Sequence, residues 1–159
     1  MNAVGRWIVV GICLSTGIAG AAEAPSQQAY DFGDYTSQTL VQKAWGAFDQ
    51  GDYSAVELYT KKCLELYEAE AKRQQATLTS FPSKEQTHTY WALNDVATAY
   101  FVLGRAWRAQ GRLKEAEVAF NTIRENFSFA QAWDPKGWSW KLALGAEDQL
   151  KMIALEEQR

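Results

Sequence analysis

Residues 90–127, YWALNDVATAYFVLGRAWRAQGRLKEAEVAFNTIRENF, decide the fold. Within them Tyr90, Leu93, Ala97, Tyr100, Gly104 and Trp107 recur by three and four, which lines one face of an α-helix and makes a seam for a neighbour. Gly111 breaks the rhythm, and Leu113, Ala116, Phe120, Ile123 and Phe127 resume it with the same steps. The stretch therefore reads as helix, glycine corner, helix.

Working outward, the same reading extends over most of the chain. Upstream, a helix from about Ser37 to Gln50 stops at Gly51. A second starts near Ser54, carries Val56, Tyr59, Cys63 and Leu66 at helical spacing, drifts to Tyr67, Ala71, Gln74 and Leu78, and ends before Pro82. Ser83-Lys84-Glu85-Gln86 has the form of a capping box, which predicts that the third helix opens there. Downstream, Asp134-Pro135 supplies a cap and a first-turn proline for a fifth helix running to about Glu156. No stretch sustains period-two alternation, so the chain is expected to be all-α. A composition of 47% hydrophobic and 22% charged residues is that of a globular protein, and three prolines in 159 residues are few for a turn-rich β fold. The net charge of −3 offers no basic footprint for nucleic acid or an anionic membrane.

The amino terminus reads as a processing segment. Arg6 precedes an uncharged run from Trp7 to Ile18, and Ala22-Glu23-Ala24 before Pro25 has the small-residue pattern of a cleavage site. The run is too short to span a hydrocarbon core of roughly 30 Å. Residues 1–24 are thus expected to be a signal peptide, which makes the protein exported, to a bacterial periplasm or beyond the cell, with no integral membrane segment after cleavage. Residues 25–36 follow as an extended arm whose Tyr30, Phe32 and Tyr35 are expected to lie on the helices, and 37–159 form the helical domain. Losing Cys13 with the signal leaves Cys63 alone, so no internal disulfide is available and packing must supply the stability.

Two four-residue corners, Gln50-Gly51-Asp52-Tyr53 and Gln110-Gly111-Arg112-Leu113, occupy the same place between two helices. With Leu103-Gly104, Trp107, Ala116 and Phe120 around the second corner and Ala44, Val56, Tyr59 and Cys63 around the first, the chain resembles the tetratricopeptide repeat family over residues 37–157. The corners are 60 residues apart where the family period is about 34, and the surplus is assigned to two lengthened helices. These form an antiparallel hairpin of roughly 40 Å per arm, about 27 residues each, with its tip at Thr79 to Ser83. The fifth helix is then a half-repeat that shields the last apolar face.

The resemblance implies a protein-binding adaptor or scaffold that takes a partner segment in its concave groove or along the hairpin. The groove-facing positions are Gln38, Val41, Trp45, Phe48 and Asp49 in one unit, and Thr98, Phe101, Arg105, Arg108 and Ala109 in the other. Arg105 and Arg108, three residues apart, suit an acidic peptide or a terminal carboxylate, or else pair with local acids. An alternative is a ligand-binding module in which Trp133, Trp138 and Trp140 form a platform for a glycan; the other reading of these rings is as core anchors. A cell-envelope hydrolase is a further alternative, and a homodimer would supply burial that two repeats lack.

Residue chemistry argues against catalysis. His88 is the only histidine, which excludes a two-histidine metal site, and its polar setting predicts a solvated side chain. Cys63 sits on an apolar stripe and is expected to pack as a small core residue. No nucleophile elbow, P-loop or dinucleotide glycine pattern occurs, and Glu68 with Glu70, Glu115 with Glu117, and Glu147 with Asp148 look like solvated helix faces. No cofactor, metal or nucleic-acid partner is expected, and no catalytic residue is assigned.

Overall fold

The computed structural model describes residues 30–133 and 139–158, with the backbone alone at Trp133. The expected signal over 1–24, the start of the arm, the Asp134-Pro135 cap and Trp138 lie outside the described residues. Five α-helices carry the described chain: α1 (Ser37–Asp49), α2 (Tyr53–Ala76), α3 (Trp91–Ala109), α4 (Leu113–Asn126) and α5 (Leu142–Glu157). The fold is all-α, with one small antiparallel ribbon of β1 (Gln131–Trp133) and β2 (Ser139–Lys141). Each helix packs on its predecessor in the chain, and α3 also touches both α1 and α5.

The two glycine corners have the same hydrogen bonds. Gly51 and Gly111 adopt the left-handed backbone, with φ of 73° and 74°. At the first corner the N–H of Gly51 donates to the Phe48 carbonyl at 3.0 Å and that of Asp52 to Ala47 at 2.9 Å. At the second, Gly111 donates to Arg108 at 2.9 Å and Arg112 to Trp107 at 2.9 Å. Both are Schellman motifs, in which a residue without a Cβ turns the chain while satisfying the last carbonyls of the helix. Asp52 then caps α2 by accepting from the Ala55 N–H at 3.0 Å.

Between the corners the structure corrects the expected hairpin. Helix α2 stops at Ala76, five residues short of Phe81, and α3 starts at Trp91, not at Ser83. The arms have 24 and 19 residues, and a 3-10 turn over Thr87–Tyr90 leads into the second. Only half of the capping box forms: the Gln86 side chain accepts from the Ser83 N–H at 3.4 Å, but the Ser83 hydroxyl donates to Glu85 at 2.8 Å and the Gln86 N–H goes to the Ser83 carbonyl at 3.0 Å, which closes a turn. The start of α3 is capped from across the hairpin, where the Gln74 side-chain oxygen accepts from the Leu93 N–H at 2.9 Å. A neighbouring Gln75 binds the Phe129 N–H and the Ser128 hydroxyl, and Asn94 binds the Gln131 N–H. Half-buried amides thus tie the tip of the hairpin to the segment that precedes the ribbon.

The fifth helix likewise begins later than expected. Residues 139–141 are extended against 131–133, with Ala132 opposite Trp140, and the helix starts at Leu142, whose N–H donates to the Ala130 carbonyl at 3.2 Å. Three-residue strands are too short to leave an alternation in the sequence.

Small residues line the helix contacts at the first corner, and larger ones fill the rest of the core. Ala44, Ala47, Ala55, Val56, Val102 and Ala106 form one buried cluster around the first corner, and Leu40, Leu93, Phe120, Ile123, Phe127 and Ile153 anchor a larger one. A Cβ at Gly104 would lie 2.8 Å from the Phe120 ring, so the glycine is what lets α4 press against α3. Residues 30–35 cross α2: Tyr30 and Phe32 each meet Tyr59 edge-on, at 6.1 and 5.6 Å between ring centres. Tyr35 stacks on Phe32. No helix among the described residues is long and apolar enough to cross a membrane.

Candidate functional site

The face shared by α1, α3 and α5 gathers most of the polar and aromatic residues expected to bind a partner. Trp45 and Phe48, three apart on α1, meet edge-on at 6.0 Å. The Arg105 guanidinium of α3 lies over both, 4.6 Å from the Phe48 ring centre and 5.4 Å from that of Trp45. Such cation–π seats hold a guanidinium flat while leaving its N–H edge free to donate. Among the described residues the Arg105 side chain makes no hydrogen bond or ion pair. Burial pulls its pKa below the ordinary arginine value, Asp49 nearby opposes that pull, and Arg108 adds to it. Arginine remains charged under all these influences.

Arg108 is engaged differently. Its Nε donates to Glu156 at 3.1 Å and Nη1 to Gln149 at 2.9 Å, both on α5, and Met152 of α5 lies alongside. The two arginines do not act as a matched pair: Arg108 clamps α5 to α3, and Arg105 keeps its donors. Gln38 and Asp49 are exposed on the same helix as Trp45. Ala109, beside Arg108 at the end of α3, is exposed as well.

Three expected groove residues face inward instead. Val41 is 8% exposed, Thr98 8% and Phe101 6%. The Thr98 hydroxyl donates to the Asn94 carbonyl at 2.7 Å, and Phe101 packs edge-on against Phe120 and Trp140 at 5.6 and 5.0 Å. Thr98 and Phe101 are core because α1, α2, α4 and α5 all touch α3, and Val41 of α1 is buried where α1 packs on α2 and α3. Trp140 packs inward as well. It is half-buried between Phe101 and Gly145, whose Cα approaches so closely that a Cβ there would lie 2.5 Å from the indole ring. This packing matches the reading of the ring as an anchor for α5. The side chain of Trp133 and all of Trp138 lie outside the described residues.

Sequence reasoning missed Gln149, Met152 and Glu156, the α5 flank of this face. Their spacing of three and four was a usable signal. It also missed Glu57, which accepts from the Trp107 indole N–H at 2.9 Å and from Arg112, joining α2 to the second corner.

The remaining candidates for chemistry resolve simply. Cys63 is fully buried, and burial, reinforced by the Asp95 carboxylate, pushes its thiol up to about 12. It is a protonated packing residue at neutral pH. His88 is exposed. The paired acids lie on solvated faces, where Glu68 meets Lys72 at 2.8 Å, Glu70 meets Arg73, Glu115 meets Arg112 at 2.9 Å and Asp148 meets Lys151 at 3.0 Å. No protein family, curated protein or solved structure compared with the chain matches it.

Proposed function

We propose that this chain is a non-enzymatic, exported scaffold of tetratricopeptide type that binds an extended protein segment across the α1–α3–α5 face, with a carboxylate of that segment held by Arg105. The observation that carries the reading is the half-buried Arg105 guanidinium, seated on Trp45 and Phe48 without an acceptor among the described side chains. A desolvated cation with unused donors gains most from a charged acceptor, and flat aromatic walls suit the apolar side chain next to it. Matching Schellman corners support the duplicated helix pair. Export rests on the pattern in residues 1–24, and the partner is then a periplasmic or extracellular protein.

The test is selection of twelve-residue peptides with free carboxyl termini against the purified protein, followed by fluorescence anisotropy of the selected sequences. Arg105→Ala should weaken binding by about 10- to 100-fold, the range for a hydrogen-bonded charge, and Trp45→Ala should weaken it less. Amidating the peptide terminus or replacing its acids by amides should reproduce the Arg105→Ala loss. Peptides that bind the variants as tightly as the native protein reject this face as the site.

A further inference from the structure

Helix α5 carries exposed apolar side chains on its outer face. Leu144, Asp148, Lys151 and Leu155 follow one another by four, three and four residues, which confines them to an arc of about 60° at roughly 100° per residue. The arc lies opposite the buried Leu142, Ala146 and Ile153. Leu144 is 56% and Leu155 60% exposed, and the Asp148 and Lys151 side chains are 72% and 71% exposed. The spacing is that of a coiled-coil seam.

The order along this seam is apolar, acid, base, apolar. Reversed, it reads apolar, base, acid, apolar, which is its own complement. The midpoint between Leu144 and Leu155 falls between Gln149 and Leu150, and so does the midpoint between Asp148 and Lys151. A single two-fold axis at that point therefore sets Leu144 against the partner's Leu155 and Asp148 against the partner's Lys151 at the same time. A C2 interface requires this kind of self-complementary patch.

We propose that two copies of this chain associate through the outer face of α5, antiparallel about an axis between Gln149 and Leu150. A second copy is favoured over a foreign helix because one operation satisfies both the apolar and the charged positions. Within one chain Lys151 already holds Asp148 at 3.0 Å, and association gives each charge a second partner without stripping it of the first. One helix pair buries little surface, so the dimer is weak, with Kd on the order of 10 to 100 μM.

Sedimentation equilibrium on the purified protein and on two single variants, Asp148→Lys and Lys151→Asp, tests this. Both sites are on the surface, and far-UV circular dichroism should be unchanged. The native protein should dimerise as its concentration rises to about 0.5 mM. Each variant opposes like charges across the axis and should sediment as a monomer. An equimolar mixture should recover the dimer, since the all-basic seam of one then faces the all-acidic seam of the other. A native protein that stays monomeric, variants that associate like the native protein, or a mixture that fails to recover each overturn the proposal.

Discussion

Asp95 shows how a single residue is governed by contacts far away in the chain. Its carboxylate is tucked between α1, α2 and α3, accepts a hydrogen bond from the Ser37 hydroxyl 58 positions earlier, and adds to the upward shift of the Cys63 thiol. Burial raises its pKa above the ordinary value near 3.9, and the Ser37 bond only partly opposes this. Between the two values the folded protein holds a proton that the unfolded chain has released. Stability falls as pH rises from about 4 through the raised folded value, and stays at the lower level above it. Asp95→Asn, which keeps an acceptor for Ser37, should raise the melting temperature at pH 8 but not at pH 4, measured by thermal unfolding of both proteins at both pH values. Arg105 and Arg108 teach the same lesson. Their separation of three residues was legible, but their different fates depend on where Trp45 and Glu156 arrive.

At the scale of the element, the corners and the hairpin tip behave differently. Gly51 and Gly111 hold nearly the same left-handed φ, and a Cβ at either would meet nothing within 4 Å. Alanine there adds backbone strain and no clash, so Gly51→Ala and Gly111→Ala should each cost about 1 kcal/mol and agree within a few tenths by urea denaturation. Unequal costs would show that the corners are not equivalent. The tip instead depends on Gln74, a residue of α2 that caps α3. Gln74→Leu should cost about 1 to 2 kcal/mol and speed hydrogen exchange in the first turn of α3 selectively. Ser83→Ala, in the segment that only resembles a cap, should change stability far less.

At the scale of the whole molecule, α3 is the hub. It touches α1, α2, α4 and α5, and Glu57 of α2 joins it through Trp107 to the second corner. A shared helix cannot leave one half folded when the other opens. Circular dichroism at 222 nm and tryptophan fluorescence should therefore trace one coincident urea transition. Two separated transitions would mean that the helix pairs unfold independently.

What the amino-acid sequence determined by itself was the all-α class, the two glycine corners and the apolar seams of α3 and α4. These rest on helical periodicity and on the need for a residue without a Cβ at a left-handed turn, and both act over a few neighbouring residues. The tertiary structure alone decided the ends of the hairpin, the ribbon before α5, the burial of Val41, Thr98 and Phe101, and the separate roles of Arg105 and Arg108. In each case the deciding group, whether Gln74 across the hairpin, β1 across the ribbon, the helices packed against α1 and α3 or Glu156 on α5, comes from elsewhere in the chain. Burial and hydrogen bonding are set by what folds against a residue, which local spacing does not specify.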